Sequence, residues 1–192
     1  MDELLAAGKA TGNDHSPAML NYTELNVTRM RRLEKRDRLT EETRAALQHM
    51  DRPMVWLTIT EGWCGDAAQI LPVIEQVAQA LPAVEHRLVL RDEHLELMDA
   101  FLTNGARSIP ITIILDANSQ EVLGSWGPRP EELQGMVMDA KTRALAAEDE
   151  ATRKDINAQA KIDTQKWYAR DKTKAVQQEF LQTLKIAVMQ QA

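Results

Sequence analysis

Seven consecutive residues, Met54-Val55-Trp56-Leu57-Thr58-Ile59-Thr60, carry no charge and are mostly apolar or β-branched. So short and apolar a run fits a strand buried on both faces, which needs helices above and below a sheet. The following residues supply them. Gly62 and Gly65 bracket Cys64, and then Ala67, Ala68, Ile70, Leu71, Ile74, Val77, Ala78 and Leu81 recur at helical spacing. Pro72 inside that pattern predicts a kink. Val84 to Leu90 reads as a second strand. Arg91-Asp92-Glu93 turns into a helix carrying Leu95, Leu97, Met98, Phe101 and Leu102, stopped at Asn104-Gly105. Ile109-Pro110 opens a third strand, Ile111 to Leu115; Asp116 to Ser119 turns the chain, and Glu121 to Trp126 returns as a fourth. Pro128 and Pro130 close it, and Pro130 suits the start of another helix. In the order β-α-β-α-β-β-α, a crossover helix makes its strands parallel and the short turn makes the last pair a hairpin. The expected fold class is α/β, a three-layer α/β/α mixed sheet.

Extra helices flank it. Residues 1–52 read as an N-terminal helical extension, 53–146 as the α/β domain and 147–192 as a long C-terminal helix. Gly8, Gly12, Asn13, Asp14, Ser16 and Pro17 carry turn chemistry, and Thr40 before Glu41 and Glu42 reads as a cap opening a short helix. Arginine is dense from Arg29 to Arg38, interrupted by Glu34 and Asp37. Such a run is a solvated face with mixed ion pairs or, on a sharper reading, a face that binds an anion or a partner. Beyond residue 147 there is neither Gly nor Pro, and Val176, Phe180, Leu184 and Ala187 or Val188 form an apolar stripe. The stripe packs back on the domain or pairs with a second copy as a homodimer. Ile156, Ala160, Ile162, Trp167 and Tyr168 follow no such order, and Trp56, Trp126 and Trp167 read as packing residues.

Composition removes whole classes of function. Hydrophobic residues make up 44% and charged residues 27% of the 192, an ordinary globular balance. The net charge of -6 argues against a nucleic-acid partner. A single cysteine closes no disulfide within the chain, which excludes a disulfide-stapled secreted scaffold. The first residues are acidic where a signal peptide is basic, and no apolar run nears the roughly 18 residues of a spanning helix. The expectation is a cytoplasmic protein without a membrane partner. His15, His49, His86 and His94 share no metal-ligand spacing, and no phosphate-cradling glycine loop is present.

Trp63-Cys64-Gly65-Asp66-Ala67 lies between a buried strand and a helix. A sulfur at a helix N-terminus meets unpaired N–H groups and the positive end of the dipole, which favour thiolate. Glu61 and Asp66 oppose it with negative charge. These influences being of similar size, the expectation is a partly exposed thiol with a modest thiolate fraction.

The strand, the Trp63-Cys64-Gly65 turn, the helix with its internal proline and Ile109-Pro110 before a hairpin together resemble the thioredoxin superfamily over about 54–146. The pentapeptide and helical preface resemble its bacterial "thioredoxin family protein" group. The resemblance implies that Pro110 is cis, faces Cys64 and leaves the Ile109 backbone to pair with a bound substrate chain. It makes Cys64 the catalytic residue, with Trp63, Gly65, Asp66, Ile109 and Pro110 as substrate-binding residues and no metal. Three positions depart from the family pattern. Ala67 stands where the second cysteine falls, Asp66 where a proline falls, and Thr58 where a buried aspartate falls. A mixed disulfide on Cys64 then needs an outside thiol. Two readings follow. One is a monothiol oxidoreductase acting on protein or low-molecular-weight thiol substrates without a bound cofactor, with a small thiol such as glutathione as co-substrate. The other is a redox-inert thioredoxin-fold scaffold that binds a partner. An iron–sulfur cluster shared between two copies lacks its usual sequence context.

Overall fold

The computed structural model describes residues 1–189. The four strands are β1 (Met54–Thr60), β2 (Val84–Leu90), β3 (Ile111–Asp116) and β4 (Val122–Trp126), in the order β2-β1-β3-β4. β1 runs parallel to β2 and antiparallel to β3, which pairs antiparallel with β4. Register puts Thr58 opposite Leu88 on one side and Thr112 on the other. The expected mixed sheet is present, and its pleat divides the core in two. Met54, Trp56 and Ile114 join one cluster with Ile70, Ile74 and Val77, whereas Ile59, Ile111 and Ile113 join a second with Cys64, Ala67, Leu71 and Met98. β1 therefore feeds both clusters, which explains its unbroken apolar run.

Helices α1 (Asp2–Ala6), α2 (Pro17–Glu34) and α3 (Glu41–Leu47) precede the sheet. The Ser16 hydroxyl accepts the Met19 N–H at the start of α2, and the Thr40 hydroxyl accepts the Thr43 N–H at the start of α3. Helix α4 (Ala67–Gln79) follows β1 and runs on through buried Pro72. After β2 come a single 3₁₀ turn, Arg91–Glu93, and α5 (Leu95–Asp99). The expected helix thus ends short of Phe101 and Leu102, before left-handed Asn104 and Gly105. Helix α6 (Glu131–Leu145) follows Pro130, its N-cap residue.

The C-terminal expectation needs correction. Instead of one long helix there are two, α7 (Glu150–Asp171) and α8 (Lys174–Met189), and residues 190–192 of the expected helix lie outside the described residues. Lys172 and Thr173 break it with φ of 56° and 73°. Left-handed backbone costs non-glycine residues ~1–2 kcal/mol each. Against that, one fully buried Phe or Leu side chain gains ~1.5–3 kcal/mol, and the turn brings several back to the sheet. Phe180 and Leu184 are both 0% exposed. The Phe180 ring meets Trp56 edge-on at 4.9 Å and Trp126 at 5.9 Å. The stripe that offered a surface to a second copy is covered by the chain's own sheet. Trp167 and Tyr168, which fit no stripe, are buried as well.

Candidate functional site

Cys64 sits in the turn between β1 and α4. Its N–H donates to the Glu61 carbonyl at 3.1 Å. Its sulfur accepts the Ala67 N–H at 3.5 Å and donates to the Ile109 carbonyl at 3.4 Å. The Ile109-Pro110 bond is cis. The turn, the helix start and the cis proline therefore meet at one sulfur, as the resemblance implies. The Ile109 carbonyl, expected to serve a substrate chain, is occupied by the thiol itself.

The electrostatics differ from the sequence expectation. Cys64 is only 7% exposed. Burial, and then the Asp66 carboxylate, raise its pKa from 9.0 to about 11, outweighing the Ala67 and Asp66 N–H groups and the Arg129 guanidinium. A helix start delivers only a small stabilisation, whereas removing a charge from water costs much more. Of the two carboxylates weighed from the sequence, Asp66 is the one that restrains the sulfur, whereas Glu61 is turned to Asp92. Glu61 is buried, with one oxygen accepting the Asp92 N–H at 2.9 Å and the other lacking a hydrogen bond.

Asp66 is held on both oxygens. Arg129 Nη2 lies 2.6 Å from Oδ2, and the Tyr168 hydroxyl donates to Oδ1 at 3.0 Å. Burial and the Asp66 charge hold the Tyr168 phenol well above its ordinary pKa. Arg129 arrives on the loop after β4, where Gly127 has φ +131° and Gly127-Pro128 is a second cis bond. A Cβ at Gly127 would overlap the Pro110 carbonyl oxygen, so the loop packs directly against the cis proline. From α7, Gln165 Oε1 accepts a hydrogen bond from Gln69 at 2.8 Å. From α2, Asn26 donates to the Gly62 carbonyl at 3.1 Å and holds Arg29 Nη1 at 2.9 Å. Sequence reasoning missed Arg129, Tyr168, Gln165, Asn26 and Gly127. Only Gly127, between Trp126 and Pro128, carried a local signal.

Trp63 is half-buried, with the Arg91 guanidinium 4.8 Å above its ring. The neighbouring Gly62 N–H donates to Thr11 Oγ1 at 2.9 Å, so the N-terminal segment packs beside this part of the turn. Gly65 has no left-handed φ, and a Cβ there would meet Gln165 Nε2 at 3.6 Å and Arg29 Nη1 at 3.7 Å. Thr58, fully buried, shares its hydroxyl with Thr112 at 2.8 Å and with His86 Nε2 at 2.9 Å, and His86 Nδ1 meets Glu75 at 2.8 Å. Hydroxyls and an imidazole thus fill the position where the family pattern has an acid, and the nearest carboxylate of the network, Glu75, stands beyond the His86 ring. Among the described residues, no cluster of three or more His, Cys, Asp or Glu is placed to hold a metal ion. No described helix is long and apolar enough to cross a membrane.

A cysteine turn heading a helix, facing a cis X-Pro bond that opens a hairpin in a β2-β1-β3-β4 sheet, defines a thioredoxin-like α/β fold. The chain belongs to the thioredoxin family: the family model described as Thioredoxin matches residues 12–143. The match starts well before residue 54, so α2 and α3 lie inside the region shared with the family. No curated protein matches the chain significantly. Among solved structures, the chain is similar to a protein of unknown function from Pseudomonas aeruginosa, with 18% identity, a TM-score of 0.57 and coverage of 96% of this chain and 90% of the other. It is also similar to an HIV epitope-scaffold, with 16% identity, a TM-score of 0.56 and 96% of both chains covered. At these identities the likeness concerns the fold.

Proposed function

We propose that this thioredoxin-family protein is a monothiol exchange protein that works slowly, because its sulfur is kept protonated until deprotonation or local opening frees it. The observation that carries this reading is the position of the Cys64 sulfur, 3.4 Å from the Ile109 carbonyl at the cis Ile109-Pro110 bond. In the reaction, Cys64 gives its proton to solvent. The thiolate then attacks one sulfur of a disulfide, forming a mixed disulfide on Cys64 and expelling the other half as a thiolate. The protein has one thiol and cannot resolve this adduct itself, so a small thiol such as glutathione attacks it, restores Cys64 and leaves as a new disulfide. A free, unpaired thiol suits a reducing compartment such as the cytoplasm.

The test is the pH dependence of Cys64 modification by a small disulfide, followed by mass spectrometry. The expected result is one adduct, reversed by glutathione, absent in Cys64→Ser, with a rate that climbs toward pH 11. Absence of adduct on the folded protein at every pH would refute the reading. The burial of Cys64 favours a second reading, a redox-inert fold that binds a protein partner. Under that reading, Cys64→Ala keeps every function of the protein.

A further inference from the structure

Arg29 differs from three other arginines around the site. Arg31 pairs with Asp2, Arg91 with Asp92 and Arg129 with Asp66. No carboxylate pairs with Arg29 among the described residues, although the chain carries 29 acidic side chains. Its guanidinium is half-buried and held by the amide oxygen of Asn26, itself 1% exposed and anchored to the Gly62 carbonyl. Burial, and then repulsion from Arg32, lower the pKa of Arg29, as expected of a cation without a counter-charge. A second donor stands nearby. Gln165 spends its Oε1 on Gln69, which leaves its amide N–H groups facing Gly65. Arg29 Nη1 and Gln165 Nε2 lie 3.7 and 3.6 Å from the point where a Gly65 side chain would begin. Two elements far apart in sequence, α2 and α7, thus bring a guanidinium with no carboxylate partner among the described residues and an amide N–H group beside the residue that follows Cys64. Asp66, the carboxylate next in the chain to Gly65, is engaged by Arg129 and Tyr168. Guanidinium forks match carboxylates, and a half-buried cation gains most from a counter-charge that arrives with the ligand.

We propose that Arg29 and Gln165 form a carboxylate subsite, making small carboxylate-bearing disulfides the preferred substrates of Cys64. This rests on the monothiol reading above. The carboxylate docks between the two donors. The Cys64 thiolate, its proton lost to solvent, attacks the nearer sulfur; a Cys64–S–S–R bond forms, the substrate S–S bond breaks and the other half leaves as a thiolate.

The test compares two probes on the full chain at one pH: dithiobis-nitrobenzoate, with a carboxylate on each ring, and neutral dithiodipyridine. The expected result is that Arg29→Gln slows the anionic probe roughly tenfold relative to the neutral one, the size of one charge-assisted hydrogen bond. Gln165→Glu, which puts a competing carboxylate beside Arg29, does the same. Arg36→Gln, an exposed arginine on the same stretch, leaves the ratio unchanged. A ratio unmoved by Arg29→Gln and Gln165→Glu, or moved equally by Arg36→Gln, overturns the subsite while leaving monothiol exchange in place. Failure of both probes to label Cys64 in the unaltered protein overturns the exchange reading and the subsite with it.

Discussion

Replacing Asp66 with Asn removes the charge that most directly restrains Cys64. With the thiol pKa at about 11, only about one molecule in ten thousand carries a thiolate at pH 7. Burial is the larger cause of that shift and survives the substitution; the carboxylate's share does not. Arg129, deprived of its partner, adds attraction for the thiolate. A fall of roughly one pKa unit is expected, and with it about a tenfold faster alkylation at pH 7, since each unit is about 1.4 kcal/mol. The same change weakens the fold. Removing one member of a buried pair costs about 3–5 kcal/mol, and the low end applies here because Tyr168 can still donate to the Asn oxygen. For a chain of this length, ~3 kcal/mol lowers Tm by roughly 6–12 °C. The assay is iodoacetamide alkylation from pH 7 to 11, read by intact mass well below the melting temperature, with a thermal melt alongside. The shape of the profile separates the two causes of faster labelling. Loosening alone raises the rate at every pH and leaves the midpoint near 11, whereas the electrostatic argument requires the midpoint to move down. An unmoved midpoint would refute the claim that Asp66 restrains the sulfur.

Three further outcomes follow from the same geometry. The folded thiol ionises at about 11 and the unfolded one near 9, so above pH 9 the unfolded state holds fewer protons and stability falls. The thiol's share of the loss, about 3 kcal/mol between pH 9 and 11, should show in denaturant melts and disappear in Cys64→Ala, leaving only the fall above pH 10 that the raised Tyr168 phenol contributes. Gly127→Ala forces a Cβ onto the Pro110 carbonyl at a φ of +131°, and should destabilise the protein by about 3 kcal/mol or more in the same melts. An unchanged midpoint would mean that the loop does not bear on the cis proline. Phe180→Ala empties a fully buried site between Trp56 and Trp126 and should cost about 3–5 kcal/mol, measured by chemical denaturation. A loss below ~1 kcal/mol would show that α8 is not part of the core.

The division between what was legible in the chain and what was not follows the range of the forces involved. The β1 run, the helical spacing after Ala67, the turn at Asp116 and the Thr40 cap act over a few residues. Each was readable, and with them the succession of strands and helices along the chain, while the meeting of Cys64 with Pro110 was what the family resemblance implied; that β3 pairs with β1 and runs opposite in direction to β2 only the sheet decided. The apolar stripe of Phe180 and Leu184 was readable for the same reason, since periodicity shows which face is buried. Periodicity does not show where the chain must bend to bury it, and the break at Lys172 and Thr173 has no glycine to mark it. The state of the sulfur was equally out of reach. From sequence, a helix start and two neighbouring carboxylates nearly cancel. The folded chain decides otherwise, because it removes water from Cys64 and because Asp66 is fastened by Tyr168, 102 residues along the chain. Desolvation and ion pairing depend on which distant segments are packed around a group, and no local pattern records them. The residues themselves determined the fold class and which sulfur is at issue. Only tertiary packing determined that this sulfur is a buried thiol, and that the guanidinium of Arg29 stands beside Gly65 with no carboxylate partner among the described residues.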